Sequence, residues 1–546
     1  MSGGDNTSTD GLPPLVPGRE RHVLQRREEL RFEVTFGGST SSTLSTASGT
    51  TSFVLQKGSC ELYGCELAVG KTYTIAHGGI KAALFTWHGC VIDLGAAEDN
   101  SGGVELSVYT SDETDANVAF VNTHAQLEAL RDDAMANKDP SGTGQGPRVM
   151  IVGPPECGKS TLAKTLIAYA CKVGRTPLFV DLDPMDNSVS VPGSLAVAPM
   201  HQSAVSVETY ATTGLPVNGN VGSSNSNGGN SPTIHPLVVY HGSTEKLHPD
   251  LFRGQVDALC ESIEKRLASD ELARSSGVIV NTNGWIRDEG YECLLHTAKA
   301  LKITVMLVLG HDRLYSMLNS HYKKQQKLKE QQEAEEDGPT IAETSITIPK
   351  IIKLPRSGGV VSRADISKCR SRAIKRYFYG DLVAADPNAS EDPTDNDVSM
   401  GIPSVSGAAA VKAYRLTNQL TPFAVQLPFA EVTIYKLSSI ALRKELLAVN
   451  AQFQTTDAIQ IEEVDIQNDP EIAKGLQHSL VAVCHPSAVA KYQQTGKGRD
   501  LVTAGVAGFC AVDKVITETD QLHLLSPCAG GLPSKTLLMG GITWME

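Results

Sequence analysis

The chain has 546 residues, 41% of them hydrophobic, and its 48 Lys and Arg against 61 Asp and Glu give a formal net charge of −13. This length predicts about three domains with well-packed cores. The acidic balance argues against a protein that captures nucleic acid by bulk charge, although it still allows a local basic channel.

The cysteines and the N-terminal residues indicate the cellular compartment. The eleven cysteines are scattered, and no two of them have the C-x-x-C spacing typical of zinc sites. Residues 1–18 are polar, and no apolar run approaches the length of a transmembrane helix. We therefore expect an intracellular protein with reduced cysteines, without zinc and without a membrane anchor.

The N-terminal part has the pattern of a β domain. Residues 1–28 are rich in Gly, Ser, Asp and Pro and then in Arg and Glu, which predicts a mobile tail. Residues 29–137 contain short alternating strands separated by glycine turns, which predicts a small sandwich or barrel. Near its end we expect a helix, with Thr123 as the N-cap and Gln126 as its capping-box partner.

A phosphate-binding motif follows in the second domain, residues 138–385. The stretch Gly153-Pro-Pro-Glu-Cys-Gly-Lys-Ser-Thr161 fits G-x-x-x-x-G-K-[ST]. An apolar run, Val149 to Val152, precedes it as a buried strand would, and a helix-like pattern, Leu162 to Ala170, follows it. Backbone N–H groups and the helix N-terminus would then surround a phosphate. Lys159 would reach the β and γ oxygens, and the hydroxyl of Ser160 or Thr161 would bind Mg²⁺.

Further strands and helices alternate along the same domain. Strands are predicted at 176–183, 276–282 and 303–309, with helices at 252–267 and 291–301, a pattern that indicates a parallel sheet with crossover helices. Two insertions interrupt it, a Gly/Ser/Asn tract near 218–231 and a charged segment near 322–337. An acidic, Pro- and Ser-rich linker is predicted at 386–428, and strands return in a last domain at 429–546.

Three groups of residues could take part in chemistry at the phosphate site. Asp183 ends the second strand, at the sheet edge that carries the phosphate loop, and Asp181 shares its face, so either could approach Mg²⁺. The alternative is a structural acid that caps a neighbouring helix. Trp285 follows the third strand and could stack on a base or fill the core. The basic stretch from Leu354 to Arg376 could form an arginine lid or a solvated helix face.

Several short motifs together resemble one family, the Clp-type mRNA cleavage and polyadenylation factors, which are relatives of the polynucleotide 5′-hydroxyl kinases. The resemblance runs from about Leu30 to the C-terminus. The motifs are Phe85 to Cys90, Asn122 to His124, Gly146 to Met150, Val191 to Gly193, Asn281 to Trp285, Ser357 to Val361 and Tyr377 to Gly380.

This resemblance implies a fold and a ligand. It implies an α/β protein in which a central P-loop NTPase-like parallel sheet is flanked by an N-terminal β-sandwich-like domain and a small C-terminal α/β domain. It also implies that ATP and Mg²⁺ are bound, with Glu29 and Lys81 at the adenosine and Ser160 and Asp183 at the metal. The remaining nucleotide contacts would come from the phosphate loop, namely Gly153, Glu156, Cys157, Gly158, Lys159, Ser160 and Thr161.

The family resemblance further implies a setting. Such proteins work in the nucleus, in the cleavage factor that processes pre-mRNA 3′ ends and cleaves before poly(A) addition. They bind a scaffold subunit that also contacts the tail of RNA polymerase II, beside other cleavage and polyadenylation factors. Contact with the pre-mRNA is expected to be indirect.

Two functions diverge within this resemblance. In the kinase members, residues like Lys159, Asp183, Trp285 and Arg363 transfer the γ-phosphate of ATP to an RNA 5′-hydroxyl, and all four are present here. The second lid position is Lys368 rather than Arg, which loses the planar fork that grips phosphate. Asp186 replaces a glutamine of the active kinases and adds negative charge. We therefore expect ATP to be held mainly as a structural ligand, with the RNA 5′-hydroxyl kinase as the alternative.

Overall fold

The computed structural model describes most of the chain. The described residues are 7–34, 51–75, 80–96, 106–138, 142–207, 235–245, 248–335, 348–357, 366–380, 382–384, 416–418, 420–437, 461–466 and 475–545. Within them, no helix combines the length and the apolar composition that crossing a membrane requires. The insertion predicted near 218–231 and most of the predicted linker lie outside the described residues.

The N-terminal domain consists of two antiparallel sheets packed face to face. Their strand orders are β1-β8-β3-β6 and β5-β4-β7-β2-β9. Phe32 of one sheet meets Phe53 of the other at a ring-centroid distance of 6.1 Å, and Phe53 stacks on Tyr73. The elements are β1 Arg19–Leu24, β2 Glu29–Val34, β3 Thr51–Gly58, β4 Glu61–Leu62, β5 Cys65–Glu66, β6 Thr72–Ile75, β7 Ile80–Phe85, β8 Cys90–Ala96, β9 Leu106–Ser111 and α1 Asp115–Met135.

Two predictions for this domain are wrong. The predicted tail of residues 1–28 contains β1, which pairs with β8 from Arg19 to Leu24. The charged sequence of this segment does not have a strand pattern, because β1 lies at the edge of its sheet. Arg21 of β1 forms an ion pair with the buried Asp93. The helix start predicted at Thr123 is also wrong, since α1 begins at Asp115 and the Thr123 hydroxyl donates to the Ala119 carbonyl within the helix.

The central domain is a seven-stranded sheet between helices, with strand order β13-β12-β11-β14-β10-β15-β16. The pairs β10–β14, β10–β15, β11–β14 and β15–β16 are parallel, as expected. The elements are β10 Arg148–Val152, α2 Lys159–Lys172, β11 Leu178–Leu182, β12 Ser194–Pro199, β13 Leu237–Tyr240, α3 Pro249–Ser269, α4 Glu271–Ser276, β14 Val278–Thr282, α5 Glu289–Ala300, β15 Val305–Leu309, α6 Asp312–Glu335, β16 Lys350–Leu354 and α7 Ile366–Tyr379.

One strand departs from the parallel arrangement. β12 runs antiparallel to both β11 and β13. The connection from β11 to β12 contains no described helix, and a strand that returns without a crossover helix pairs in the antiparallel sense. The charged segment predicted as an insertion near 322–337 continues α6 as far as Glu335.

The C-terminal domain is a second seven-stranded sheet, of order β19-β24-β23-β22-β25-β20-β21, and its described helices include two short ones that follow β22. It begins before the boundary predicted at residue 429, because β19 pairs with β24 from Phe423 onward. The elements, including a separate pair β17–β18, are β17 Leu382–Ala384, β18 Leu416–Asn418, β19 Phe423–Pro428, β20 Thr433–Lys436, β21 Glu462–Glu463, β22 Ser479–Cys484, α8 Pro486–Thr495, α9 Gly498–Val502, β23 Val506–Ile516, β24 Gln521–Ser526 and β25 Thr536–Thr543.

Both outer domains contact the central one. The β4–β5 hairpin lies on α2, where the Tyr169 hydroxyl donates to the Glu61 carboxylate and Lys164 lies 5.5 Å from the ring centroid of Tyr63. On the other side, the Tyr240 hydroxyl donates to the Leu480 carbonyl at 3.0 Å. The helix that follows the phosphate loop is therefore held by the N-terminal domain.

Candidate nucleotide site

The phosphate loop connects β10 to α2 with a backbone that few residues can adopt. Glu156 has φ 56° and Gly158 has φ 95°, both in the left-handed region. A Cβ on Gly153 would lie 2.6 Å from the Sγ of Cys157, so the loop closes on itself at that point. The helix begins at Lys159, and its N-terminus therefore faces the loop. This is the backbone cradle that binds phosphate.

Lys159 lies inside this loop. Only 6% of its surface is exposed, and its Nζ donates to the Pro154 carbonyl at 2.8 Å. Burial lowers the pKa of Lys159, while the Coulomb interactions with Cys157 and Asp183 oppose that change. The ammonium is thus already placed among the loop atoms that would surround a β- or γ-phosphate.

Asp181 and Asp183 have different surroundings. The structure therefore distinguishes two acids that the sequence left as alternative neighbours of Mg²⁺. The Asp181 carboxylate is fully buried and accepts hydrogen bonds from Ser188 N, Ser188 Oγ, Asn281 Nδ2 and Asp183 N. Asp183 is half-buried, and its Oδ1 accepts from Met185 N. Asp181 is therefore a structural acid, and Asp183 is the one that remains available to a ligand.

The charge around Asp183 is predominantly negative. Burial, and then Asp181 and Asp186, raise the pKa of Asp183 to about 7, while Lys159 lowers it. A bound Mg²⁺ would favour the ionised form of this carboxyl because it brings positive charge. Asp186 therefore adds negative charge near Asp183, as the sequence predicts for an acid at this position.

Asn281 joins the phosphate loop to the acidic strand. Its Nδ2 lies 3.0 Å from Asp181 Oδ1 and 3.3 Å from Ser160 Oγ. Its Oδ1 is buried and has no hydrogen-bond partner among the described residues. Sequence reasoning placed Asn281 in a family motif without assigning it a role, and its position at the end of β14 is the signal that could have identified it.

The donor set fits a magnesium ion that binds together with a nucleotide. Mg²⁺ takes few protein ligands and completes its octahedron with phosphate oxygens and waters. Ser160 supplies a half-exposed hydroxyl beside Lys159, and Asn281 supplies a buried acceptor that no described residue pairs with. Among the described residues, no group of three or more His, Cys, Asp and Glu side chains could hold a metal by itself.

The segment after β14 packs against the phosphate loop just before Trp285. The Thr282 hydroxyl donates to the Ile151 carbonyl at 2.8 Å, and a Cβ on Gly284 would lie 2.5 Å from Pro155. Trp285 itself is half-buried, and its backbone N–H donates to Asn283 Oδ1. Gly284, the residue before Trp285, therefore contacts the loop, and the Trp285 side chain is neither fully buried in the core nor fully exposed.

The predicted basic lid is only partly described. Arg363 lies outside the described residues, and Lys368 is exposed on α7. Arg370 of that helix donates to the Met185 carbonyl at 3.3 Å, so α7 lies over the turn that follows Asp183. Arg356 lies 3.5 Å from the Glu156 carbonyl, which makes it a phosphate-loop contact that sequence reasoning did not single out.

The predicted adenosine residues lie on one face of the N-terminal sheet. The β2–β7 register pairs Glu29 with Phe85 and Glu33 with Lys81, so Glu29 and Lys81 are four positions apart, roughly 13 Å along the strands. Glu29 is buried in an ion pair with Arg31, and Lys81 forms one with Glu33 at 2.9 Å. The Tyr63 hydroxyl donates to the Lys81 carbonyl at 2.8 Å, which connects this face to the hairpin on α2.

Comparison with known proteins identifies the family. Residues 23–134 match the N-terminal beta-sandwich domain of polyadenylation factor, 153–340 the mRNA cleavage and polyadenylation factor CLP1 P-loop, and 420–546 the pre-mRNA cleavage complex II protein Clp1. The chain is 32% identical to the mRNA cleavage and polyadenylation factor clp1 of Aspergillus niger, over 97% of this chain and 98% of that protein. The chain belongs to the Clp1 family. This confirms the resemblance and the predicted fold class.

Other Clp1-family proteins are named as CLP1 homologs or as RNA 5′-hydroxyl kinases. The chain is 28% identical to the protein CLP1 homolog of Arabidopsis thaliana, over 100% of this chain and 99% of that one. It is also 28% identical to the polyribonucleotide 5′-hydroxyl-kinase Clp1 of Danio rerio, over 96% and 94% of the two chains.

Solved structures share the fold at low identity. A Clp1p–Pcf11p complex described as showing the basis of ATP loss in a glycine-to-arginine mutant superimposes with a TM-score of 0.66, at 20% identity, over 97% of this chain and 99% of that one. A wild-type Clp1p–Pcf11p complex gives a TM-score of 0.65 at 20% identity, over 97% and 98%.

Proposed function

We propose that this chain is an ATP-binding subunit of the nuclear machinery that cleaves and polyadenylates pre-mRNA, required for cleavage before poly(A) addition. The observation that carries the proposal is a Clp1-family match over the whole chain combined with a complete phosphate loop. ATP and Mg²⁺ would bind at Gly153, Glu156, Cys157, Gly158, Lys159, Ser160 and Thr161, with Asp183 near the metal and with Glu29 and Lys81 at the adenosine.

The ATP would serve mainly as a structural ligand. Asp186 adds negative charge near Asp183, and α7 carries Lys368 where a bidentate arginine would grip phosphate better. A nucleotide that binds only the folded chain stabilises it by about 2.7 kcal/mol at a hundred times its Kd. The helix after the phosphate loop contacts the N-terminal domain, and the turn after Asp183 is hydrogen-bonded through Gly193 and Gly242 to the C-terminal one, so bound ATP would stabilise their arrangement.

The partner would be a scaffold subunit of the cleavage factor that also contacts the RNA polymerase II tail. The solved structures of the same fold contain Clp1p with Pcf11p, which supports a partner of that kind. Other cleavage and polyadenylation factors would assemble around it, and contact with pre-mRNA would be indirect.

The second candidate is an RNA 5′-hydroxyl kinase, the activity in the name of the Danio rerio relative. Lys159, Asp183, Trp285 and Arg363 would be its catalytic residues. The observation that favours it is the placement of Asp183, which is half-buried directly after β11 and lies near Lys159 of the phosphate loop, where a general base would be needed. Asp183 would accept the proton of the RNA 5′-hydroxyl as the γ-phosphate is transferred.

One experiment on the purified full chain decides between the two. The nucleotide released on denaturation is identified, and γ-labelled ATP is then incubated with 5′-hydroxyl RNA and Mg²⁺. We expect intact ATP to copurify and no label to reach the RNA. Robust transfer that is lost in Asp183→Asn would establish the kinase instead, and steady hydrolysis without RNA would indicate an NTPase switch.

A further inference from the structure

We propose that Asn281 is a positioning residue for the magnesium that binds with the nucleotide. Its Nδ2 orients the Ser160 hydroxyl, and its Oδ1 accepts a hydrogen bond from a water in the metal's hydration shell. This inference rests on the proposed ATP and Mg²⁺ site and assigns a role to a residue that neither functional alternative uses.

The sheet register places Asn281 between the two parts of the site. β14 lies between β10 and β11, and Asn281 pairs with Ile151 of β10 on one side and with Asp181 of β11 on the other. Side chains at the carboxyl ends of neighbouring parallel strands meet at one edge of the sheet. Asn281 therefore has the phosphate loop on one side and the acidic strand on the other.

Asp181 determines which way the Asn281 amide faces. Asp181 Oδ1 also accepts from the backbone N–H of Asp183, and Oδ2 accepts from the N–H and the hydroxyl of Ser188. A carboxylate oxygen that faces these donors accepts from Asn281 as well, so the NH₂ end of the amide must face Asp181. The same NH₂ group lies within hydrogen-bond distance of Ser160 Oγ, so both of these contacts are made by the nitrogen of the amide and neither by its carbonyl oxygen.

The remaining oxygen is the atom that indicates a ligand. Asn281 is 0% exposed, and its Oδ1 has no hydrogen-bond partner in the described part of the chain. Buried hydrogen-bond acceptors in folded proteins are paired, because an unpaired acceptor loses its hydrogen bonds to water and gains none from the protein. Oδ1 and Nδ2 share one carbon, so Oδ1 lies within reach of waters on a metal held by Ser160 Oγ.

Magnesium has the chemistry that this oxygen needs. Mg²⁺ gives up its waters reluctantly, and those waters are strong hydrogen-bond donors to nearby oxygens. The amide adds no charge, whereas Asp183 and Asp186 already make this edge acidic. Asn281 would therefore hold a metal-bound water without adding a further carboxylate to the triphosphate site.

The test measures how much Mg²⁺ the full chain needs to hold ATP. Bound nucleotide is removed, and ATP binding is followed by equilibrium dialysis as Mg²⁺ is titrated, with a parallel series in EDTA. For Asn281→Leu we expect the Mg²⁺ midpoint to rise about tenfold, while ATP affinity in EDTA changes less than twofold. Mn²⁺ binding by electron paramagnetic resonance provides a second measure of the metal itself.

Two further variants show whether Asn281 acts through the metal. Ser160→Ala combined with Asn281→Leu should raise the midpoint no more than Ser160→Ala does, because residues that act on one ligand are not additive. Gln255→Leu is the matched control, since it removes another fully buried amide, one that donates to the Tyr240 and Val502 carbonyls away from the phosphate loop. Its Mg²⁺ midpoint should equal the wild-type one.

The outcomes separate this inference from the proposed function. A wild-type chain that binds no ATP with Mg²⁺ contradicts the proposed function and, with it, this inference. A wild-type chain that needs Mg²⁺, beside an Asn281→Leu variant with the same midpoint, overturns the role of Asn281 alone. Should Asn281→Leu not fold, the smaller Asn281→Ala, which also removes the amide, replaces it, and an unchanged midpoint in that variant overturns the inference equally.

Discussion

At the scale of single residues, environment decides what each charged group can do. Asp181 and Asp183 are identical in type and two positions apart, yet four donors occupy the first, while the second is half-buried beside Lys159. A structural acid and a ligand-facing acid therefore lie next to each other. Lys159 is the counterpart, a cation held by the loop that it would help to bind phosphate.

We predict that Lys159→Ala lowers stability mainly through lost ATP. In wild-type protein, saturating ATP with Mg²⁺ should raise the melting temperature, because the ligand binds only the folded state. In Lys159→Ala that rise should disappear, while the melting temperatures without nucleotide stay close together. Differential scanning fluorimetry with and without ATP measures both, and an unchanged ATP-dependent rise in the variant contradicts the proposed site.

His124 predicts a pH dependence of stability. Burial, and then Arg131, lower the pKa of His124, whose Nδ1 is buried with no hydrogen-bond partner in the described ranges and whose ring lies 5.4 Å from that of Tyr169. Below about pH 6.5 the unfolded chain binds a proton that the folded chain resists, so stability falls as the pH drops. His124→Gln should lose less stability than wild type between pH 7 and 5.5 in chemical denaturation. Parallel pH profiles of the two proteins would refute this assignment.

At the scale of elements, the β4–β5 hairpin is the contact between the N-terminal domain and the phosphate-loop helix. Gly64 in its turn has φ 82°, and a Cβ there would lie 3.0 Å from Ala168 and 3.1 Å from the Thr165 carbonyl of α2. Tyr63 and Glu61 beside it contact Lys164 and Tyr169 of the same helix. A small residue is required because the turn meets helix backbone.

We predict that Gly64→Ala destabilises the chain by more than its backbone strain alone. The left-handed conformation costs a non-glycine residue on the order of 1 kcal/mol, and the contact with α2 adds to that cost. Gly70→Ala is the matched control, since Gly70 has φ 77° and nothing within 4 Å of the added Cβ. Urea unfolding of the two variants should show the larger loss in Gly64→Ala. Equal losses of stability in the two variants would mean that the hairpin moves away from α2 at no energetic cost.

At the scale of the whole molecule, glycines join the C-terminal sheet to the central domain. Gly541 N–H donates to the Gly242 carbonyl at 2.7 Å, and Gly242 N–H donates in turn to the Gly193 carbonyl at 3.0 Å. Gly193 N–H donates to the carbonyl of Pro184, the residue after Asp183, at 2.7 Å. A continuous set of backbone hydrogen bonds therefore connects the acidic turn of the nucleotide site to β25.

Gly540→Ala should loosen this domain contact. A Cβ on Gly540 would lie 2.4 Å from the Gly242 carbonyl oxygen and 2.5 Å from its Cα, so backbone must move. Limited proteolysis should release the C-terminal domain faster from this variant than from wild type. Gly541→Ala is the control, because its nearest contact would be an ordinary 3.8 Å, and it should be cut at the wild-type rate. Equal rates for both variants would show that the contact does not hold the domains together.

The sequence alone determined the local features of this protein. The phosphate loop, the alternating strands and helices around it and the family resemblance depend on short motifs, and periodicity and glycine positions carry that information directly. The strand at 303–309, for example, was predicted from its apolar run, and the structure places β15 at Val305–Leu309. Edge strand β1 escaped prediction because an exposed edge needs little apolar sequence.

Only the tertiary structure decided which residues of the candidate site meet. The phosphate-loop motif is contiguous, but Asn281 reaches Ser160 and Asp181 across 121 and 100 residues of chain, through a strand order that no local pattern encodes. The same holds for the assignment of Asp181 as structural, which depends on donors from Ser188 and Asn281. Hydrogen bonds of this kind depend on how strands are ordered in space, and the sequence shows only how they are ordered along the chain.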